Sequence, residues 1–243
     1  MSRLNTLKRR IKAGESPLAR LVLRAHGAWC TFEVPVIPGI HSGLWSLHRA
    51  IQNVTAWGTR VFYYTPMFKS RLQGKAPRLN LYGGLPYVGG PVRISFGSDC
   101  RLSAATTITG RWAGRETPEL VVGDNVGIGW QTTIAVGTRV VLEDNVRIAG
   151  RAFLAGYPGH PIDARDRAKG LPDTEDQIGE IKLERDVWLG TGVTVSAGVT
   201  IGKGTIVAAG SVVSRDLPPG VLAGGVPARV IRTLTPGIKE IAA

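Results

Sequence analysis

The sequence predicts an all-β solenoid of very short strands, on three observations. Residues 183–213 (LERDVWLGTGVTVSAGVTIGKGTIVAAGSVV) read as consecutive six-residue units opening at Leu183, Leu189, Val195, Ile201, Val207 and Val213. One aliphatic every sixth residue matches neither the three-and-four spacing of an amphipathic helix nor the alternation of a half-buried strand. Glycine supplies 32 of 243 residues, nearly twice the ordinary share, without the three-residue period of collagen. If each unit is one flat face of a triangular coil, the leading aliphatics stack inside the prism. Gly and Asn then take corners that need positive φ.

Along the chain, residues 1–30 interleave Arg3, Lys8, Arg9, Arg10, Lys12, Arg20 and Arg24 with Leu4, Leu7, Ile11, Leu18, Leu21, Val22 and Leu23, against a single acid, Glu15. This basic amphipathic segment reads either as a solvated helix or as a peripheral anchor on anionic headgroups. Pro35, Pro38 and Gly39 break any helix over 31–40. Leu44, Leu47, Ile51 and Val54 recur at helical spacing beside Trp45 and Trp57, so a second amphipathic helix is expected over 42–58. Its apolar side would pack on the end of the solenoid or dip into a bilayer interface. Residues 61–75 (VFYYTPMFKSRLQGK) are read as a turn or short helix leading into the coils.

The six-residue period starts at Val88 and groups as 94/102/108, 122/128/134, 142/148/154, 183/189/195 and 201/207/213, giving five coils. Two-residue slips fall at 94–102 and 134–142, and a longer departure at about 109–120. Residues 155–182 leave the period altogether before returning to it. A long loop on a tight solenoid is usually functional. The expected domains are thus a helical, basic region at 1–80, the solenoid at 81–222 with its excursion, and a C-terminal segment at 223–243.

Composition narrows the function classes. Two cysteines, Cys30 and Cys100, cannot make a disulfide framework in so long a chain, and no cleavable signal with a continuous apolar core is seen, so a reducing cytoplasm is expected. No run approaches the 18 or so apolar residues of a spanning helix. The net charge of +12 implies an anionic partner, whether a nucleotide cofactor, a lipid surface or a nucleic acid.

The excursion holds His160, between Gly159 and Pro161 and the only histidine in the solenoid half. A neutral imidazole on a loop of a rigid scaffold can accept a proton from a hydroxyl or amine. Asp163 could orient that ring, or could only cap the helix start at ARDRAK.

The period, GHP in the excursion, DVWLG at 186–190, AAGSVVSRDLPPG at 208–220 and AGGVPARVIR at 223–232 together resemble the hexapeptide-repeat acyltransferases, over roughly residues 120–234. Within that superfamily the chain is similar to the galactoside, maltose and xenobiotic O-acetyltransferases. The resemblance implies a left-handed parallel β-helix with a short C-terminal helix, a homotrimer with active sites between subunits, and transfer of an acetyl group from acetyl-CoA to a hydroxyl, without a metal. It implies that His160 is the general base and that Trp188 lines the site near the cofactor. Thr191 and Ala209 would lie against the pantetheine arm. Ser214, Arg215, Arg229 and Arg232 would hold the phosphates and adenine, for which Arg offers a fixed fork of donors.

Two departures bear on the acceptor. The sugar acetyltransferases carry an Asn in an earlier coil, whose counterpart here is Gln131 in WQTTI, a substrate-binding candidate with Asp163. Their short helical cap is replaced by some 80 residues that are more basic and more aromatic. That exchange suits a sugar or glycan acceptor in cell-surface polysaccharide or lipopolysaccharide synthesis, reached at the inner membrane face through residues 1–58, with no nucleic acid. The rival readings are a zinc enzyme, which would lack ligands with one solenoid histidine, and a non-catalytic scaffold binding membrane or nucleic acid through its basic surface.

Overall fold

The computed structural model describes residues 16–114 and 116–234, together with 5, 9, 12 and 13. The chain divides into two units, Met1–Gln52 and Asn53–Ala243. The expected basic helix is seen from Ser16 onward as α1 (Pro17–Thr31). The Ser16 hydroxyl accepts from the Ala19 amide at 3.0 Å, and Pro17 fills the first turn, where a missing N–H costs nothing. Most of the basic residues before it lie outside the described ones. Helix α2 (Pro38–Thr59) starts four residues before the expected bound. Pro38 opens this helix rather than breaking it, and the Ile37 amide donates to His41 Nδ1 at 2.8 Å. Both helices leave large apolar side chains exposed, among them Leu21, Trp29, Leu44, Trp45 and Ile51. No helix among the described residues is long and apolar enough to cross a membrane. A π-helical turn (Arg60–Tyr64) and α3 (Thr65–Lys69) lead to the solenoid, where buried Phe68 meets Phe96 edge-on at 6.0 Å.

The solenoid then winds coil by coil. The first coil contributes β1 (Asn80–Tyr82) and β2 (Tyr87–Gly89), and the second β3 (Arg93–Phe96), β4 (Arg101–Ser103) and β5 (Thr107–Gly110). The third contributes β6 (Glu119–Val122), β7 (Gly127–Ile128) and β8 (Thr133–Val136), and the fourth β9 (Arg139–Leu142), β10 (Arg147–Ile148) and β11 (Phe153–Ala155). After the excursion come β12 (Ile181–Leu183), β13 (Trp188–Leu189) and β14 (Thr194–Ser196), then β15 (Thr200–Ile201), β16 (Ile206–Val207) and β17 (Val212–Val213). These strands stack in parallel into three faces: β3-β6-β9-β12-β15 (the first face), β1-β4-β7-β10-β13-β16 (the second) and β2-β5-β8-β11-β14-β17 (the third). This is the left-handed parallel β-helix of hexapeptide repeats. The chain closes with β18 (Val221–Gly225) on the second face and an antiparallel β19 (Ala228–Thr233).

The leading aliphatics fill the prism as expected: Leu102, Ile108, Ile134, Leu142, Leu154, Leu183, Leu189, Val195 and Ile201 are fully buried. Each such side chain contributes about 1.5–3 kcal/mol on leaving water. Register corrects the grouping at one point. Phe96, not Ile94, stands opposite Val122, so the second coil reads 96/102/108 with no slip inside it. The two-residue insertion falls instead between Val88 and Phe96. Partial coils also flank the five, because Leu81 pairs with Leu102 before them and Leu217 and Ala223 stack on Ile201 and Val207 after them.

The corners have distinct chemistry. Between the first and second faces, Asp99, Asn125, Asn145, Asp186, Gly204 and Gly220 all take positive φ. Their side chains form a ladder, Asn125 Nδ2 to Asn145 Oδ1 at 2.9 Å and Asn145 Nδ2 to Asp186 Oδ1 at 2.8 Å. Between Val88 and Val213, every departure from the period (90–92, 111–118, 137–138 and 156–180) sits between the third and first faces. At the C-terminus, the described residues of 223–234 form the β18–β19 hairpin, so the expected short helix is not found there. Residues 235–243 lie outside the described ones.

Candidate active site

The excursion is pinned at its root by polar contacts. Arg111 and Asp173 are both buried, at 5% exposure each, and form a salt bridge through Nε and Oδ1; Arg111 Nη2 also donates to the Asp173 carbonyl at 2.9 Å. Burial acts to lower the Arg111 guanidinium, but hydrogen bonds to Glu175 and Asp173 outweigh it, so Arg111 is held above its ordinary value. The second Asp173 oxygen, Oδ2, accepts from the Gly159 amide at 3.0 Å. Gln177 Nε2 donates to the His160 carbonyl at 3.3 Å, and Gln177 itself closes a capping box with Thr174. Tyr157 reaches back to Thr109 Oγ1 at 3.0 Å. The His160 backbone is therefore tethered on both sides while its side chain stands exposed.

Asp163 does not face the ring through any hydrogen bond. Its carboxylate accepts from the Arg165 and Asp166 amides and caps α4 (Ala164–Ala168), which is the structural one of its two expected roles.

Five of the cofactor candidates, Trp188, Thr191, Ala209, Arg229 and Arg232, gather elsewhere, on the second face and on its corner with the third; Ser214 and Arg215 do not join them. Trp188, Ile206, Leu222 and Arg232 occupy one register row across β13, β16, β18 and β19. Trp188 is 51% exposed on that row. Arg229 stands opposite Gly224 on the same hairpin. At the corner, the Thr191 carbonyl accepts from the Gly210 amide at 2.8 Å, which stacks Thr191 directly beneath Ala209. Ser214 and Arg215 are exposed beyond β17, at the corner of the third and first faces. Gln131 falls at the corner that carries Thr191, two coils earlier, where its Oε1 accepts from Arg151 Nε at 3.3 Å.

The structure thus brings Trp188, Thr191, Ala209, Arg229, Arg232 and Gln131 onto one side of the prism, and roots the His160 loop at another corner. A cleft of about 680 Å³ at the foot of the excursions is lined by Arg93, Glu116, Glu119, Arg139, Glu175 and Glu180 among others, and His160 does not line it. Arg111 and Asp173 escaped the reading of the sequence because both lie in segments outside the period. Among the described residues, no group of three His, Cys, Asp or Glu could hold a metal ion.

Fold and site geometry define a hexapeptide-repeat protein of the kind that the acyltransferases exemplify. The model of the bacterial transferase hexapeptide (six repeats) matches residues 180–215. The chain is 38% identical over 113 residues to the galactoside O-acetyltransferase of Escherichia coli, covering 46% of this chain and 53% of that protein. It is 40% identical over 116 residues to a Saccharomyces cerevisiae protein carrying an inferred acetyltransferase name, covering 48% and 57%. The chain spans about half the length of these curated relatives. Among solved structures, a variant of the Bacillus cereus N-acyltransferase AntD, in complex with dTDP-4-amino-4,6-dideoxyglucose and coenzyme A, shares the fold with a TM-score of 0.57. Identity to it is 18%, over 70% of this chain and 89% of that one. In repeat and fold, the chain resembles the hexapeptide-repeat acyltransferases.

Proposed function

We propose that this protein transfers an acetyl group from acetyl-CoA to a hydroxyl of a sugar or glycan. The single observation that carries the reading is the row Trp188–Ile206–Leu222–Arg232, continued at the corner by Thr191 and Ala209. This strip steps across four adjacent strands, about 4.8 Å apart, with arginines at the end where the phosphates would lie. His160 takes the proton from the acceptor hydroxyl, whose oxygen adds to the thioester carbonyl. The tetrahedral intermediate collapses with cleavage of the C–S bond, and the imidazolium returns the proton to the departing thiolate. Arg229 and Arg232 hold the cofactor's anionic end; Ser214 and Arg215 lie at the corner of the third and first faces, away from this row.

The loop of His160 leaves the prism at a corner away from the face that carries Trp188, which supports a site assembled between subunits, in the homotrimer that the resemblance implies. Carboxylates at positions such as Glu175 and Glu180 do not reach the strip through any contact. The acceptor is a cell-surface polysaccharide or lipopolysaccharide sugar, met in the cytoplasm at the inner membrane face. The exposed Leu21, Trp29, Trp45 and Ile51, with the basic residues of 1–30, support peripheral contact with an anionic bilayer through residues 1–58.

Thiol release from acetyl-CoA tests the reaction, with wild type and His160→Ala compared over free glycosides, sugar nucleotides and lipid-linked oligosaccharides. Turnover with one acceptor class that falls about 100-fold or more in the variant, with coenzyme A binding retained, supports the assignment. Wild-type turnover in the variant removes His160 from the role. Absence of coenzyme A binding would leave the non-catalytic scaffold as the better account. Deleting residues 1–30 is expected to release the protein from anionic liposomes without disturbing its assembly; unchanged binding would remove the membrane role.

A further inference from the structure

The second and third faces and the corner between them carry none of the chain's 18 Asp and Glu residues. Strands β1, β2, β4, β5, β7, β8, β10, β11, β13, β14, β16, β17, β18 and β19, with the turns joining them at that corner, contain no acid. The charges there are all arginine: Arg101, Arg147, Arg151, Arg229 and Arg232. Arg229 and Arg232 fall to the cofactor strip in the reading above, but Arg151 lies at its opposite end. Register places Trp130, Gly150, Thr191 and Ala209 in one column at the corner, and Gln131, Arg151, Gly192 and Gly210 in the next.

That second column takes positive φ throughout: 56° at Gln131, 63° at Arg151, 71° at Gly192 and 70° at Gly210. The later coils fill this left-handed conformation with glycine, which adopts it freely, whereas the two earlier coils hold side chains in it. Those side chains form a single cluster. The Arg151 guanidinium lies over the indole of Trp130 at 4.9 Å from its centroid, and Arg151 Nε donates to Gln131 Oε1. Trp130 in turn lies against Gly150, where an added Cβ would stand 2.7 Å from the ring. The guanidinium is thus oriented by a stack and a hydrogen bond. Among the described residues no carboxylate pairs with it.

We infer that Trp130, Gln131 and Arg151 form a subsite for an anionic group, carboxylate or phosphate, carried by the acceptor. The inference rests on the proposed function, since the cofactor's direction places its thioester toward this end. With phosphates at Arg229 and Arg232, the arm runs past Ala209 and Thr191 toward earlier coils. Arg151 is one coil, about 4.8 Å, before that position. An exposed arginine held over an indole, with only its Nε engaged, is suited to a planar or tetrahedral oxyanion, and the indole beside it gives an apolar platform for a sugar ring. The acid-free surroundings leave that positive potential uncompensated.

The test is titration calorimetry on the full chain saturated with coenzyme A, so that the cofactor's own arginines are occupied. The probes are methyl glucuronide, glucose 1-phosphate and methyl glucoside, which offer a carboxylate, a phosphate and no charge. One of the two anions is expected to bind at least about tenfold more tightly than the glucoside, and Arg151→Gln to abolish that preference, with Arg151→Lys recovering part of it. The anion preferred distinguishes an acidic sugar from a phosphate-bearing acceptor. Equal binding of all three probes, or an anion preference untouched by Arg151→Gln, overturns the inference. If coenzyme A itself does not bind, the functional reading fails, and the same titration without it decides whether Arg151 binds an anion alone.

Discussion

Asp173 divides its carboxylate between two partners: Oδ1 pairs with buried Arg111, and Oδ2 holds the Gly159 amide next to His160 at 3.0 Å. The excursion at 111–118 and the one at 156–180 are locked together by this residue, 62 positions from its cationic partner. Removing the guanidinium in Arg111→Met leaves a buried carboxylate without its counter-ion, which costs about 3–5 kcal/mol. The loss is expected first as faster amide exchange across 156–180, and only secondarily as a lower melting temperature. Turnover should fall while the affinity for coenzyme A stays constant, because the strip on the second face makes no contact with the pair. Unchanged exchange at Gly159 would show that the loop is held by other means.

Gly190 is where the strip is most sensitive to a small change. A methyl group there would stand 2.6 Å from the Ala209 amide nitrogen and 2.9 Å from the Val207 carbonyl, both of them backbone. Gly190→Ala therefore must spread two coils beside Thr191. The expected outcome is weaker coenzyme A binding, by about tenfold or more, together with a lower melting temperature. Calorimetry and thermal denaturation measure the two effects separately.

Leu189 is fully buried in the stack between Ile148 and Val207. Leu189→Ala should cost about 2–5 kcal/mol, the usual range for such a cavity. Since each coil is supported only by its neighbours, the loss belongs to the later coils and should broaden the denaturation transition. A sharp transition with an unchanged midpoint would contradict the stacking account.

Glu143 provides an acid-dependent link between coils. Its carboxyl is held below the usual range, chiefly by the hydrogen bond from Lys182 Nζ at 3.0 Å, with partial burial opposing and the Arg185 amide, also at 3.0 Å, assisting. A carboxyl whose folded-state pKa lies below its unfolded value adds stability above the unfolded value, and loses it as pH falls through the folded one. Glu143→Gln should therefore melt slightly below wild type at pH 7, by an amount matching under about 1 kcal/mol for so exposed a pair. The two melting temperatures should converge as pH drops below about 4. A gap that persists at low pH would assign the effect to packing instead of charge.

The repeat could be read from the sequence because it is local: a six-residue period needs no knowledge of what stacks on what. Register across coils is not local, and this is why Ile94 was taken for Phe96. Both are apolar, and only pairing with Val122 separates them. The flanking partial coils were missed because Leu81 is followed by a Gly-Gly-Leu-Pro turn, while Leu217 comes four residues after Val213 instead of six. ARVIRT has the branched side chains of a strand and pairs as one in the C-terminal hairpin, while the part of the expected short helix that would fall on 235–243 lies outside the described residues. At the site, GHP and DVWLG could be recognised as short motifs. Arg111 and Asp173 belong to no motif, and their pairing is visible only once two excursions lie on the same corner. Arg151 likewise belongs to no motif, and its contact with Trp130 in acid-free surroundings emerges only from the stacking of the coils.

Between Val88 and Val213 all four departures from the period leave the prism at the corner between the third and first faces, and none interrupts the column that runs from Trp130 to Ala209. The molecule thereby separates changes of length from changes of chemistry. Residues can be added to or removed from the loop-bearing corner without shifting any rung on the opposite side. There, specificity can alter only by exchange of one side chain for another within a fixed frame.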